Sequence, residues 1–202
     1  MATTLLYQGH GSYRITTADG RIMYIDPYAG EGYDKPADIL LVSHQHEDHN
    51  QIQLVTQKAN CTVITNVEAL AGGVHNTFTV GDITIEAVEA CNVNHNPAEC
   101  VGFMLTIDGI QIYIAADTSK TKSMESFAAR KIDYALLPID GFYNMDVNEA
   151  IECAKLIGAK VNIPVHIKPG ELFDRELAEA FDAPGKCIVA PGEEIELLKQ
   201  GN

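Results

Sequence analysis

Short apolar runs, each closed by glycine, proline or a polar residue, set the rhythm of the chain. Thr3 to Gln8, Ser12 to Thr17 and Arg21 to Asp26 have the composition of strands, with Ala18-Asp19-Gly20 as the turn between the last two. Pro27 stops the third run, and a glycine-rich loop from Tyr28 to Tyr33 leads through Pro36 into the apolar stretch Ile39-Leu40-Leu41-Val42. A short helix through Ile52, Leu54 and Val55, a strand at Thr62 to Thr65 and a brief helix at Val67 to Ala71 follow. From Thr77 the period is two, through Ile83 to Val88 and Val101 to Ile107. Asp108-Gly109 then makes a two-residue hairpin into Ile110 to Ile114.

The last third changes period. Asp133 to Pro138 is a strand, and apolar residues then recur at Val147, Ile151, Ala154 and Ile157. Asp146-Val147-Asn148-Glu149 has capping-box spacing, and Gly158 ends the helix. A strand from Val161 to Val165, a helix from about Asp174 to Phe181, and strands at Cys187 to Ala190 and Ile195 to Leu198 complete the pattern. Many antiparallel strands interrupted by helices, in two loosely similar halves, predict an α+β fold of two packed sheets with helices outside. Loops at the strand ends of both halves then converge on one edge.

With 202 residues, 46% of them hydrophobic, the chain supports one core and is expected to form a single domain over 1–202. Its 14 basic and 28 acidic residues give a net charge of −14, which disfavours nucleic acid and anionic membrane surfaces as partners. A small-molecule substrate is the expected partner, and a homo-oligomer is left open. The 5 cysteines are scattered and odd in number, and the start of the chain lacks the pattern of a signal peptide, so a cytoplasmic location is expected.

The chemistry concentrates in Ser43-His44-Gln45-His46-Glu47-Asp48-His49, at the mouth of the apolar run ending at Val42. Imidazole and carboxylate are the usual donors to zinc, manganese and non-haem iron, and His44 and His46 point to one side of an extended segment. Asp48 and His49 come after the backbone turns, so they are free to face a second metal. Further ligands must come from later strand ends, where His95, Asp117 and His166 stand; His75, in Gly72-Gly73-Val74-His75-Asn76, competes with His95. His10, between two glycines, is read as site-lining or structural. Arg14 and Lys168 are read as anion-holding groups or ordinary exposed cations, Asp140 as an adaptation to substrate or a turn residue, and a substrate contact by Tyr143 is left open.

Several segments resemble one family. They are Gly9-His10-Gly11-Ser12, Ile25-Asp26-Pro27, Ala37 to Ser43 with the His44-x-His46-x-Asp48-His49 motif, Ala115-Ala116-Asp117-Thr118, Leu136-Leu137-Pro138-Ile139, Met145-Asp146 and Ile163-Pro164-Val165-His166. In this order the chain resembles the metallo-β-lactamase-fold superfamily, and within it the branch of L-ascorbate-6-phosphate lactonase and the UPF0173-type hydrolases. Asp140 departs from that pattern, standing where Leu-Pro-Ile-Gly-Gly would be expected. The resemblance implies an αβ/βα four-layer sandwich of two mixed sheets with the site along one edge. It implies that His44, His46 and His95 bind one divalent ion, that Asp48, His49 and His166 bind another, and that Asp117 bridges them. Zinc is expected first, with manganese and iron as alternatives. The implied reaction is hydrolysis by a hydroxide shared between the ions, with Asp48 orienting it, on a small lactone, ester or phosphorylated metabolite. The rivals are a mononuclear-iron sulfur dioxygenase on the same scaffold and a metal-binding module without turnover.

Overall fold

The computed structural model describes residues 1–201, folded as two six-stranded sheets packed face to face. The first holds β1 (Thr3–Gly9), β2 (Ser12–Thr16), β3 (Ile22–Ile25), β4 (Ala37–Val42) and β5 (Gln57–Thr65), with β12 (Glu194–Leu197) beside β1. The second holds, in spatial order, β11 (Val161–Val165), β10 (Tyr134–Pro138), β9 (Ile110–Ile114), β8 (Val101–Ile107), β7 (Ile83–Glu89) and β6 (Thr77–Val80). Both sheets are mixed. In each, three antiparallel pairings are followed by two parallel ones: β12–β1–β2–β3 then β4 and β5, and β6–β7–β8–β9 then β10 and β11.

Strand alternation divides the apolar residues between layers. Met23, Ile25, Ile39 and Leu41 meet Phe103, Leu105, Ile112 and Leu136 in the core between the sheets. Burying each such side chain contributes about 1.5–3 kcal/mol relative to exposure. The alternate residues face outward. On the second sheet Met104, Tyr113, Ala135 and Leu137 are covered by α2 (Met124–Phe127) and α3 (Val147–Ile157), with α4 (Arg175–Ala180) in the same layer. The remaining helix, α1 (Asn66–Ala69), buries Ala69 in the core between the sheets.

The first sheet's outer face is covered differently. Ile22, Tyr24, Ala37 and Leu40 lie under Tyr33 and Val55, which belong to coil segments and not to helices. The reason is in the crossovers: a parallel pair needs a connection over one face, and here those connections are loops 26–36 and 43–56. Tyr24 Oη secures the first of them, donating to the carbonyls of Lys35 and Gly32 at 2.9 and 3.1 Å, while its ring stacks on Tyr33.

The helix expected from Asp146 forms with half of the capping box. Asp146 accepts from Glu149 N at 2.8 Å, worth about 1 kcal/mol, but the Glu149 carboxylate accepts from Lys120 N instead. Gly158 closes the helix at φ 69°. A reciprocal box occurs where none was expected, between Thr65 and Glu68 at α1. Two expectations are corrected and one element is added. Cys187 to Ala190 is not a strand, because only the preceding Lys186 forms a bridge, to Asn162. β5 begins five residues early, in the exposed polar run from Gln57, and α2 was not expected at all. No helix among the described residues is long and apolar enough to cross a membrane.

Candidate metal centre

Strand ends of both sheets bring the ionisable residues together. β4 delivers Ser43 and His44, and its parallel neighbour β3 delivers Asp26, whose backbone turns to φ 46° as the strand ends. That turn points the Asp26 carboxylate across to β4. It accepts from Ser43 N at 2.7 Å and from Ser43 Oγ at 2.6 Å, and lies 3.0 Å from His49 Nδ1. Ser43 Oγ has spent its proton on Asp26, so it accepts from His44 Nδ1 at 2.9 Å. The Nε2 lone pair of His44 is thereby left bare. Burial first, then the neighbouring His49, pushes the His44 imidazole down to about 2, so it is neutral.

The same arrangement recurs around the site. His95 Nδ1 lies 2.9 Å from Asn92 Oδ1, His166 Nδ1 lies 2.9 Å from Asp140 Oδ2, and His10 Nδ1 lies 3.2 Å from the Glu171 carbonyl. Each of these imidazoles turns its other nitrogen inward, as metal-ligating histidines do. The Nε2 atoms of His44, His49, His95 and His166 and Oδ1 of Asp117 are buried without a hydrogen-bond partner. Asp117 sits among three of them, 3.3 Å from His49, 3.2 Å from His95 and 3.4 Å from His166. Buried polar atoms without partners are costly, and so many converging on one point fit positively charged ions.

The donors fall into adjoining groups, each with its ligand atoms within 4.8 Å of one another: His44, His46 and His95; His10, Asp48, His49 and His166; and His44, His49 and Asp117. All seven residues singled out in the sequence are therefore gathered at one edge. His75 is exposed and belongs to none of the groups. His10, left open by the sequence, joins the second group, with Nε2 3.1 Å from Asp48 Oδ2. Asp26, Ser43, Asn92 and Asp140 hold the imidazoles and were not read as doing so. The signals were the departure at Asp140 and the family-like segments that contain Asp26 and Ser43.

Charge is balanced locally. Burial works against the Asp117 carboxylate, but His166 and His49 hold it well below the usual range. Burial likewise opposes the charge on His49, and Asp117 and Asp26 raise it well above an ordinary imidazole. For Asp48 burial is outweighed by the His10 hydrogen bond and by His49, and the carboxyl is lowered. A cavity of about 880 Å³ opens onto Asp48, His46, His95 and Asp117, and a recess of about 390 Å³ lies on the other side of His46 and His95.

Two packed mixed sheets with a histidine- and aspartate-rich edge define the metallo-β-lactamase fold, and the family model described as beta-lactamase superfamily domain matches residues 4–166. A UPF0173 metal-dependent hydrolase of Alkaliphilus metalliredigens is 32% identical over 79% of this chain and 83% of its own length. The chain belongs to the beta-lactamase superfamily and, within it, to the UPF0173 metal-dependent hydrolase family. Among solved structures, a candidate metal-dependent hydrolase of Parabacteroides distasonis is similar, with a TM-score of 0.77, 28% identity and coverage of 94% of this chain and 93% of that one. A metallo hydrolase of Ignicoccus hospitalis shares the fold, with a TM-score of 0.78 at 21% identity over 99% and 100% of the two chains.

Proposed function

We propose that the site holds two divalent ions, zinc first among them, and hydrolyses a small lactone, ester or phosphoester. The observation that carries this reading is the set of buried, unpartnered Nε2 atoms on His44, His49, His95 and His166, with Nδ1 of the first three hydrogen-bonded to an oxygen and Nδ1 of His166 2.9 Å from the Asp140 carboxylate. In the proposed arrangement His44, His46 and His95 hold one ion, His49, His166 and Asp48 the other, with His10 adjoining, and Asp117 lies between them. Bound there, the ions would acidify a water and stabilise the oxyanion of the transition state.

The chain's own groups do the rest. Asp48, half-buried at the cavity and fixed by His10, holds the attacking water and takes its proton. The water oxygen bonds to the acyl carbon or phosphorus, the bond to the leaving oxygen breaks, and the proton passes to that oxygen. Burial of His44, His49, His95, Asp117 and His166 excludes bulk water from the donors.

The test is metal analysis of protein purified without added metal, joined to a lactone, ester and phosphoester screen of wild type and Asp48→Ala. Two ions per chain, turnover by wild type and a folded but inactive Asp48→Ala variant that keeps the ion at His44, His46 and His95 are expected. A single iron with oxygen consumption on a persulfide, or no turnover across the screen, overturns the reading.

A further inference from the structure

The wall of the 880 Å³ cavity beyond the histidines is built from Tyr28, Glu47, Gln51, Asn94, Tyr143 and the Pro169-Gly170 turn. No lysine or arginine lines it. The two cations that could have held an anionic substrate are engaged elsewhere. Arg14 is buried in the first sheet, donating to Asp34 Oδ1 and to the Gly32 carbonyl, each at 2.8 Å, with Glu194 at 3.4 Å. Lys168, beside the Pro169-Gly170 turn, is shared between Glu171 at 2.9 Å and Asp174 at 3.2 Å, which leaves that side of the rim with an excess of negative charge.

The lining also includes aromatic and acidic groups, Tyr28, Tyr143 and Glu47. Glu47 is exposed, and its carboxylate has no hydrogen-bond or ion-pair partner among the described residues. Tyr143 is 45% exposed and packs edge-to-face on Phe142, which is 71% exposed. Their loop is fixed over the mouth, because Asn92 and Asn94 donate to the Tyr143 carbonyl at 2.8 and 3.2 Å. Aromatic faces and an unpaired carboxylate in the lining of one cavity attract cations, and a protein of net charge −14 repels anions at long range.

We propose that the non-reacting part of the substrate is a cationic group, a protonated or quaternary ammonium on a small acyl ester, received by Glu47, Tyr28 and Tyr143. The inference rests on the hydrolase reading of the same site. It sets phosphorylated and carboxylate-bearing compounds aside among the classes named there, and an open-chain ester is the form in which it is tested. Recognition is by the rim alone; the ester bond breaks as already described.

The test uses metal-loaded protein and three 4-nitrophenyl esters of similar length: 4-trimethylammoniobutyrate, butyrate and succinate. The expected order of kcat/KM is cationic, neutral, anionic, with a span on the order of tenfold that narrows with salt. Glu47→Gln compresses the span and Glu47→Lys reverses it. Equal rates, a preference for the succinate ester, or an order untouched by Glu47→Lys overturns the proposal. Turnover of none of the three counts against the hydrolase reading, and calorimetry with the three free acids then decides the recognition. The trimethylammonio acid binding tightest to wild type, and losing that lead in Glu47→Lys, supports the proposal; succinate binding tightest, or all three alike, overturns it.

Discussion

Asp140 Oδ2 lies 2.9 Å from His166 Nδ1, and the other oxygen of the same carboxylate accepts from the backbone of Phe142 and Tyr143 at 2.8 and 2.6 Å. One side chain thus orients an imidazole and shapes the loop over the cavity. Asp140→Asn keeps the bonds from Phe142 N and Tyr143 N but loses the one Oδ2 accepts from Asn144 Nδ2 at 2.7 Å and the charge opposite His166. Zinc affinity is expected to fall about 10- to 100-fold with little change in thermal stability, as read by calorimetric titration and a melting curve.

Asp26 is a different case, because it serves the fold and the site together. It is buried, and Asp26→Ala leaves Ser43 N, Ser43 Oγ and His49 Nδ1 without their acceptor. Removing one partner of such a buried charged network costs about 3–5 kcal/mol. Denaturant unfolding of the chelated variant should show a loss of that size. A loss below about 1 kcal/mol would show that the network contributes little.

Gly11 gives a steric probe of His49. A Cβ at position 11 would come 2.7 Å from His49 Cε1, and Asp26 holds that imidazole in place. Gly11→Ala should remain folded yet bind fewer than the wild-type number of ions, which metal analysis and circular dichroism together would reveal.

The charge pattern of the site predicts a pH dependence with two limbs. In chelated protein His49 is raised and Asp117 lowered. The raised imidazole contributes stability that is complete below its unfolded value of about 6.5 and is lost as pH rises through the folded value. The lowered carboxyl contributes stability present above about 3.9 and lost as pH falls through its folded value. His44, whose imidazole is lowered to about 2, stays neutral in the fold and costs stability as pH falls below about 6.5. Chelated protein should therefore be most stable near about pH 6.5 and weaken both in acid and in alkali. Zinc must displace the His49 proton, so its affinity should be higher at about pH 8 than at about pH 6, with proton release measurable by calorimetry in buffers of different ionisation enthalpy.

The strands that carry the donors were legible because each is a short apolar run ended by a polar residue. The polar start of β5 and the four residues of α2 carry no such contrast, and the period of a single helical turn cannot be read. Cys187 to Ala190 has the composition of a strand, but its pairing with β11 stops at the bridge of Lys186 to Asn162 and the bond from Cys187 N to the Asn162 carbonyl. In the site, His44, His46, Asp48 and His49 were legible by spacing, and His95, Asp117 and His166 by their places at strand ends. Their supports were not. Asp26 reaches His49 only because β3 and β4 run parallel, and Asp140 reaches His166 only because β10 pairs with β11, relationships that local sequence does not encode.

The shared order of antiparallel and parallel pairings makes the two sheets topological copies of one another, with β1 to β5 matching β7 to β11. Equivalent strand ends then carry His10 and His95, Asp26 and Asp117, the His44 to His49 segment and Asp140, and Asn66 and His166. Asp26 and Asp117 show how the copies have diverged. Each follows a third strand next to a left-handed residue, at φ 46° for Asp26 itself and φ 56° for Ala116, yet one carboxylate braces a histidine from behind while the other faces the cluster. A division of labour between matched positions leaves neither half with a complete set of donors, so the centre exists only while the two sheets stay docked.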